Sequence, residues 1–133
     1  MSTKKFEIRS ALREHLLELS DLPNINWENQ VFTPGDDPYI RETLLPADET
    51  LTANNERTGI GIWQLDLFVP MGYSISEAES LADKIKQHFR PAQVISNVIL
   101  ERSFVGQGNQ NDNWYFIPIS IDYRAHSQNL EPA

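Results

Sequence analysis

The stretch that decides the fold is Arg57–Pro91, which reads RTGIGIWQLDLFVPMGYSISEAESLADKIKQHFRP. Its first part, Thr58–Val69, alternates side chains in the manner of a strand, and Pro70-Met71-Gly72 breaks that pattern. Ser74–Phe89 then carries apolar residues at helical spacing, and the proline that follows ends the helix. Because only a few residues separate the strand from the helix, the two must pack on each other and form the folding centre.

The details of this unit give more specific expectations. One strand face is uniformly apolar and the other is mixed, which indicates a central strand. Gly59 and Gly61 predict a bulge or a close backbone approach. Ser76 with Glu79 forms a capping-box pattern, and Ser74 with Glu77 forms a second one two residues earlier. The residues expected to face the core are Trp63, Leu65, Leu67 and Val69 on the strand and Ala78, Leu81, Ala82, Ile85 and Phe89 on the helix.

The residues before this unit predict one helix and two strands. Lys4–Leu19 has an apolar stripe of helical period, and Asn26–Phe32 and Tyr39–Ala47 alternate like strands, with a Pro-Gly-Asp loop between them. Pro46 indicates that the second strand lies at a sheet edge or ends there. Asp48–Arg57 is polar and is either a loop or the tip of an extended hairpin.

The residues after the unit predict two further strands. Gln93–Val105 is strand-like, beginning near Val98 if the chain turns before it, and the polar Gly106–Asn113 predicts a loop. Trp114–Arg124 predicts the last strand, with Pro118 indicating an edge position, and residues 125–133 predict a disordered tail. The order is therefore α-β-β-β-α-β-β. It predicts a single α+β domain over residues 1–133, a mixed or antiparallel sheet with two helices packed on one face.

Composition limits the function classes. The chain has 133 residues, a net charge of −8 and no cysteine. An acidic body argues against gripping nucleic acid, which requires clustered Lys and Arg. The missing cysteine excludes disulfides and thiolate metal sites within these residues. The charged residues near the start interrupt any apolar core of a signal peptide, and no window approaches the length of a membrane helix, so we expect a soluble intracellular or particle-associated protein.

No catalytic, cofactor-binding or metal-binding residue is predicted. The three histidines, His15, His88 and His126, lack helical metal-ligand spacing. The acidic residues Asp36, Asp37, Glu42, Asp48 and Glu49 offer oxygen ligands for a hard cation but lack the EF-hand spacing, and turn formation is the simpler explanation. No serine lies in G-x-S-x-G, and no glycine cluster matches a phosphate loop. The three tryptophans are more typical of core or interface anchors.

The two strands with prolines suggest a route to self-association. If Tyr39–Ala47 and Trp114–Arg124 both lie at sheet edges, their unpaired backbone groups must be covered or paired. Pairing between subunits, closed into a ring, is one solution.

The sequence resembles the phage tail terminator-like family. The resemblance is carried by four stretches: the N-terminal helix around Ile8–Leu12, then Asn26–Phe32 with Pro38–Ala47, the Val69–Gly72 junction leading into the second helix, and the strand pair around Gly106–Asn113. They follow in the expected order and span most of the chain.

This resemblance implies a structural role. It implies a hexameric ring that caps the finished tail tube, stops its polymerisation and presents a surface to the head. The expected partners are further copies of the chain, the tail tube protein and a head-completion or connector protein, with DNA at most passing through the ring. The expected location is the virion tail, assembled in the cytoplasm of the bacterial host. The candidate assembly contacts are the polar loop residues and one tryptophan: Asn54, Asn55, Gln107, Asn109, Gln110, Asp112 and Trp114.

Three other interpretations remain open from the sequence, one of which is a generic interaction module in a non-phage setting. A head-tail connector component would use the same class of partners. A small-molecule-binding or hydrolytic α+β domain would need a concave apolar pocket with convergent polar groups.

Overall fold

The computed structural model describes residues 4–51, 56–96 and 98–128. They form two helices and seven strands in the order α1 (Lys4–Leu16), β1 (Asn24–Asn26), β2 (Tyr39–Leu51), β3 (Glu56–Pro70), α2 (Ile75–His88), β4 (Val94–Ile95), β5 (Val98–Val105), β6 (Asn109–Asn111) and β7 (Trp114–Gln128). The strands make one sheet in the order β1-β2-β3-β7-β5-β4, and β6 pairs with β7. Only the β1–β2 pair is parallel, so the sheet is mixed. None of the helices in the described ranges has the length and apolar character needed to cross a membrane.

The core lies between one face of the sheet, here called the inner face, and the two helices. The apolar stripes of both helices and the alternate residues of β2, β3, β5 and β7 belong to one buried cluster. Trp63, Leu65 and Ile85 are completely buried in it. The predicted α+β class, the single domain and the placement of both helices on one face are confirmed.

The start of α2 is fixed by Ser74 rather than by Ser76. Ser74 is the N-cap, and its hydroxyl accepts a hydrogen bond from the Glu77 N–H at 3.3 Å. The pattern at Ser76 is therefore not the cap, because the chain is already helical there. The sharp turn before it is made by Gly72, whose φ of 93° is accessible to glycine at little cost.

The predicted strand Asn26–Phe32 is wrong in position. β1 is Asn24–Asn26, and the chain then turns, with the Gln30 N–H donating to the Trp27 carbonyl at 3.1 Å and Asn29 at a φ of 65°. The alternation in this stretch looked like a strand, but its side chains are held by α1. The Arg13 guanidinium lies 4.6 Å from the Trp27 ring centroid, and Arg9 donates to Glu28 at 2.8 Å.

β7 is a central strand, so the edge position inferred from Pro118 is wrong. β7 pairs with β3 along its whole length and with β5 and β6 on its other side. Pro118 is tolerated because of the side that its nitrogen faces. In a strand the nitrogen and carbonyl of one residue face the same side, and the Pro118 carbonyl accepts from the Gly106 N–H at 2.8 Å. That side lies at the break between β5 and β6, where no ladder hydrogen bond is lost.

Two segments that were expected to be irregular form paired strands. Within the predicted loop Gly106–Asn113, residues 109–111 form β6, and β7 extends to Gln128 beside Glu56, four residues beyond its predicted end. For Asp48–Arg57 the hairpin alternative is confirmed, since β2 reaches Leu51 and β3 begins at Glu56. The remaining tail, 129–133, lies outside the described residues.

The expected bulge and close approach occur at the glycines of β3. The register between β2 and β3 shifts from Pro46–Gly61 to Glu49–Gly59. A Cβ on Gly61 would lie 2.5 Å from the Tyr123 hydroxyl oxygen and 2.7 Å from the Leu45 carbonyl oxygen. Only glycine therefore allows the tyrosine to pack across the strand at this point.

The outer edge of β2 is covered over most of its length. β1 pairs with residues 39–41, and the Glu28 carboxylate accepts the Leu44 N–H at 3.1 Å. The next N–H on this side would belong to Pro46, whose nitrogen carries no hydrogen. The edge position expected for this strand is thus correct beyond residue 41. Pairing between subunits along residues 42–46 is disfavoured.

Glu42 is the buried polar centre of the inner face. One carboxylate oxygen accepts from Arg13 Nη2 at 2.6 Å and from the Glu28 N–H at 3.0 Å, and the other accepts from Arg13 Nε at 3.0 Å and Trp63 Nε1 at 2.8 Å. Burial raises the pKa of Glu42, but these hydrogen bonds and the Arg13 charge outweigh it and hold the pKa below its usual range. Glu42 therefore joins α1, the turn after β1 and the centre of the sheet as a charged group.

Candidate assembly surfaces

The candidate contacts of the second half of the chain are brought together on one hairpin. Gln107, Asn109, Gln110 and Asp112 are exposed on or beside the β6–β7 hairpin, and Trp114 is half-buried directly after its turn. Asn54 and Asn55 lie outside the described residues.

This hairpin is held in place by the rest of the fold. The Met71 N–H donates to the Asn113 carbonyl at 3.0 Å, which ties the hairpin turn to the β3–α2 junction. The Tyr115 side chain lies against Gly108, where a Cβ would overlap the phenol ring. Residues 109–111 thus form a strand within the single chain.

The hairpin turn belongs to one end of the sheet, here called the loop end, made of residues 33–38, 70–73 and 112–114. An open depression of about 390 Å³ lies there, lined by Pro34, Gly35, Asp36, Pro70, Met71, Asn113 and Trp114. A second depression of about 330 Å³ is lined by residues including Asp37 and Tyr73. Met71 is half-exposed at the rim of the first. The sequence marked the Val69–Gly72 junction but gave no sign that it meets the hairpin.

The second candidate surface is the sheet face that bears no helix, here called the outer face. At the loop end it carries a row of aromatic rings. Tyr39 stacks on Phe68 at 4.8 Å and on the edge of Trp114 at 5.2 Å, and Phe68 stacks on Phe116 at 5.2 Å. Burial raises the pKa of the Tyr39 phenol more than the nearby Arg41 charge lowers it, so the row is uncharged at neutral pH.

The remainder of the outer face carries three ion pairs. Arg41 pairs with Asp66 at 3.1 Å, Arg102 with Asp122 at 3.2 Å and Arg124 with Glu101 at 3.2 Å. Between them lie exposed apolar side chains from three strands: Leu45, Ile62 and Phe104. No described residue covers these three apolar side chains. Sequence reasoning did not find this surface because its residues lie far apart in the chain.

Two histidines that the sequence left unassigned form a clamp between the helix ends. The His15 and His88 rings stack with centroids 3.9 Å apart. His15 Nε2 donates to the His88 carbonyl at 2.9 Å, and His88 Nε2 donates to the His15 carbonyl at 2.7 Å. A carbonyl only accepts, so both Nε2 atoms carry hydrogen. The clamp satisfies carbonyls at the C-terminal ends of α1 and α2.

Glu18 lies beside this clamp, 3.4 Å from His15 Nδ1 and 3.7 Å from His88 Nε2, and the three are the group of potential metal ligands within the described ranges. The arrangement does not suit a metal ion. Both Nε2 hydrogens are committed to carbonyls, and no single ion can lie in the planes of two stacked rings. Three of the acidic residues considered from the sequence do not converge either, since Asp36 and Asp37 line different depressions and Glu42 is bound in the core, while the side chains of Asp48 and Glu49 lie outside the described part of the chain.

Comparison with known proteins adds to this geometry. No curated protein matches the chain. Among solved structures, a protein without a functional name shares the fold with a TM-score of 0.73 and 23% identity, covering 93% of this chain and 96% of its own. A chain from the virion of a native gene transfer agent particle shares it with a TM-score of 0.66 and 11% identity, covering 90% and 94%. The sequence model of the phage tail terminator protein family matches residues 7–123. The chain therefore belongs to the phage tail terminator family and is a structural protein of phage tails.

Proposed function

We propose that this protein caps the tail tube as a hexameric ring, stops polymerisation of the tube and allows the head to join. The observation that carries the proposal is the family match over residues 7–123, which spans α1, α2 and the sheet up to Tyr123. A single folded unit thus contains all the matched sequence, and the capping role is assigned to the whole domain rather than to a small local site.

The geometry supports a division of labour between surfaces. A ring subunit contacts two neighbours and the tube, and a subunit that joins the head needs one further contact. The loop end carries a preformed hairpin with exposed amides at Gln107, Asn109 and Gln110, and the tail tube protein is its proposed partner. The outer face offers a broad apolar and charged surface for a neighbouring copy.

The charge of the chain fits a ring around DNA. With a net charge of −8, the ring repels phosphates and lets DNA slide through without sticking. The proposed location is the virion tail, where the ring binds the tube on one side and a head-completion or connector protein on the other. Assembly is proposed to take place in the host bacterial cytoplasm.

Tube polymerisation in vitro tests this function. Purified tail tube protein is polymerised with and without this chain, and tube lengths are measured by negative-stain electron microscopy. We expect a ring at one tube end and an end to growth at substoichiometric amounts. Tubes that continue to grow at equimolar amounts, with no ring at their ends, would refute the capping role. Unchanged tube length combined with a requirement for head joining would instead favour the connector role.

A variant pair tests the docking element. The double variant Q107K/Q110K changes two exposed amides on the hairpin and should fold normally but fail to cap tubes. Gln30→Lys makes the same chemical change once, at an exposed position between β1 and β2, and as the control should cap like the wild type. Equal capping by both variants would exclude the hairpin as the docking element.

A further inference from the structure

We propose that copies of this chain associate head to tail, with the outer face of one sheet packed on the acidic N-terminal part of α2 of the next copy. This inference rests on the ring proposed above and identifies its interface. The occupant of the outer face is therefore a second copy of this chain, because two surfaces of the same protein carry complementary charges.

The outer face is positive at its outermost layer although its charges are balanced. The Arg41 and Arg102 side chains are 51% and 68% exposed, whereas their partners Asp66 and Asp122 are only 3% and 24% exposed. The carboxylates thus lie beneath the guanidinium groups. The guanidinium carbons of Arg41 and Arg102 also lie over aromatic rings, 5.0 Å from the Phe68 and Phe104 centroids respectively.

The same face exposes apolar side chains that a neighbour would bury. Leu45 on β2, Ile62 on β3 and Phe104 on β5 are 46%, 36% and 40% exposed, and the sheet order places them across its width. An apolar belt with arginines at its margin is typical of an interface centre, where arginine and aromatic residues are enriched.

The exposed side of α2 has the opposite charge over its N-terminal part, up to Asp83, whereas its basic residues follow at Lys84, Lys86 and Arg90. Asp83 lies near the middle of this side, and Glu77 and Glu79 flank it. Within the described ranges none of the three forms an ion pair. Lys84, next to Asp83 in the sequence, donates from its ammonium to the carbonyl of Ser20 in the segment after α1, at 3.3 Å.

These charges select a head-to-tail contact over a symmetric one. Two outer faces packed together would place arginines against arginines, which is unfavourable, and a contact between two α2 surfaces would leave the apolar side chains of the outer face uncovered. The outer face and α2 lie on opposite sides of the same domain. A contact between unlike surfaces leaves one outer face and one α2 surface free on each growing assembly. Further copies therefore add in one direction and close into a ring when the rotation allows.

Cross-linking tests this directly because the chain contains no cysteine. Phe104→Cys labels the outer face and Ser80→Cys labels the exposed side of α2, and both positions are exposed. Each variant is treated with a short bis-maleimide, alone and as an equimolar mixture, at high protein concentration and again on tail tubes. Val31→Cys, 99% exposed on a loop, replaces Ser80→Cys in the control mixture.

We expect cross-linked dimers only in the F104C and S80C mixture, and a ladder ending at the ring size for a chain carrying both changes. Asp83→Lys in the S80C chain should reduce the yield several-fold. Efficient dimers from F104C alone would overturn the inference in favour of a symmetric contact, and no cross-link in the mixture, free or on tubes, would overturn it altogether. Capping of tubes without the cross-link would leave the proposed function standing and refute only this interface. Cross-linking without capping would refute the proposed function and leave this interface standing.

Discussion

Replacing Glu42 with glutamine should destabilise the protein more than any other change of a single charge at constant size. Both oxygens of this carboxylate accept two hydrogen bonds each, from Arg13, the Glu28 N–H and the Trp63 indole. In Glu42→Gln one oxygen becomes an NH₂ group, so the two N–H donors that were bound to that oxygen then face another N–H donor. The Arg13 charge also loses its buried partner.

The magnitude follows from these contacts. A hydrogen bond to a charged group contributes about 1.5–3 kcal/mol, so the loss of two corresponds to roughly 3–6 kcal/mol. Domains of this size have a total stability of about 5–15 kcal/mol. The melting temperature should accordingly fall by roughly 10 °C or more, since each kcal/mol shifts it by about 3–4 °C at this size.

The assay is urea unfolding followed by circular dichroism and tryptophan fluorescence, with Trp63 as a reporter beside the altered group. Glu79→Gln makes the same chemical change at an exposed position and should stay within about 0.5 kcal/mol of the wild type. A loss below about 1 kcal/mol for Glu42→Gln would refute the central role assigned to this carboxylate.

The pH dependence provides a second readout of the same prediction. The pKa of Glu42 is lower in the folded chain than in the unfolded one, so its contribution is complete above the unfolded value of about 4.3. It is lost as the pH falls through the lower folded value. The stability difference between wild type and Glu42→Gln should therefore narrow below about pH 4, and a difference that stays constant to pH 2 would contradict the assignment.

Three further changes test local features of the fold. Gly61→Ala should cost about 1–3 kcal/mol, because its Cβ would meet the Leu45 carbonyl, which belongs to the backbone, whereas Gly35→Ala has open space and should be neutral in thermal melts. Ser74→Ala should cost about 1 kcal/mol through loss of the cap and Ser76→Ala almost nothing, and equal effects in urea unfolding would refute the assignment of the cap. Ile85→Asp should abolish cooperative melting, since it buries an unpaired charge at a fully buried position, and a retained cooperative transition would show that the core face of α2 is misassigned.

The parts of the fold that were predictable are those determined by local pattern. The helical period of α2 and the alternation of β3 each decide one element, and the short junction between them forces their contact. The prediction of β1 was wrong in position because the alternation in Asn26–Phe32 is a local signal. The position of the Glu28 side chain depends instead on its hydrogen bond from Arg9, which lies in α1. The edge rule for proline failed at Pro118, because the rule assumes a continuous ladder and the partner strands are interrupted there.

The candidate surfaces divide in the same way. The β6–β7 hairpin is contiguous in sequence, so a polar stretch followed by Trp114 was sufficient to single it out. The outer face depends on strand order and register, which place Arg41 and Arg102 on the same side of the sheet although 61 positions separate them in the chain (102 − 41 = 61). Periodicity assigns each residue to a face of its own strand but does not say which strands are neighbours.

The covered edge of β2 has a consequence for how this protein survives at high concentration. Exposed strand edges recruit further strands without limit and lead to fibrils. With Glu28 occupying the Leu44 N–H and a proline at position 46, that route is blocked over the segment beyond β1. Along this segment, contacts between copies are therefore left to side chains, whose contacts are weaker one by one and can be undone when a copy binds in the wrong place.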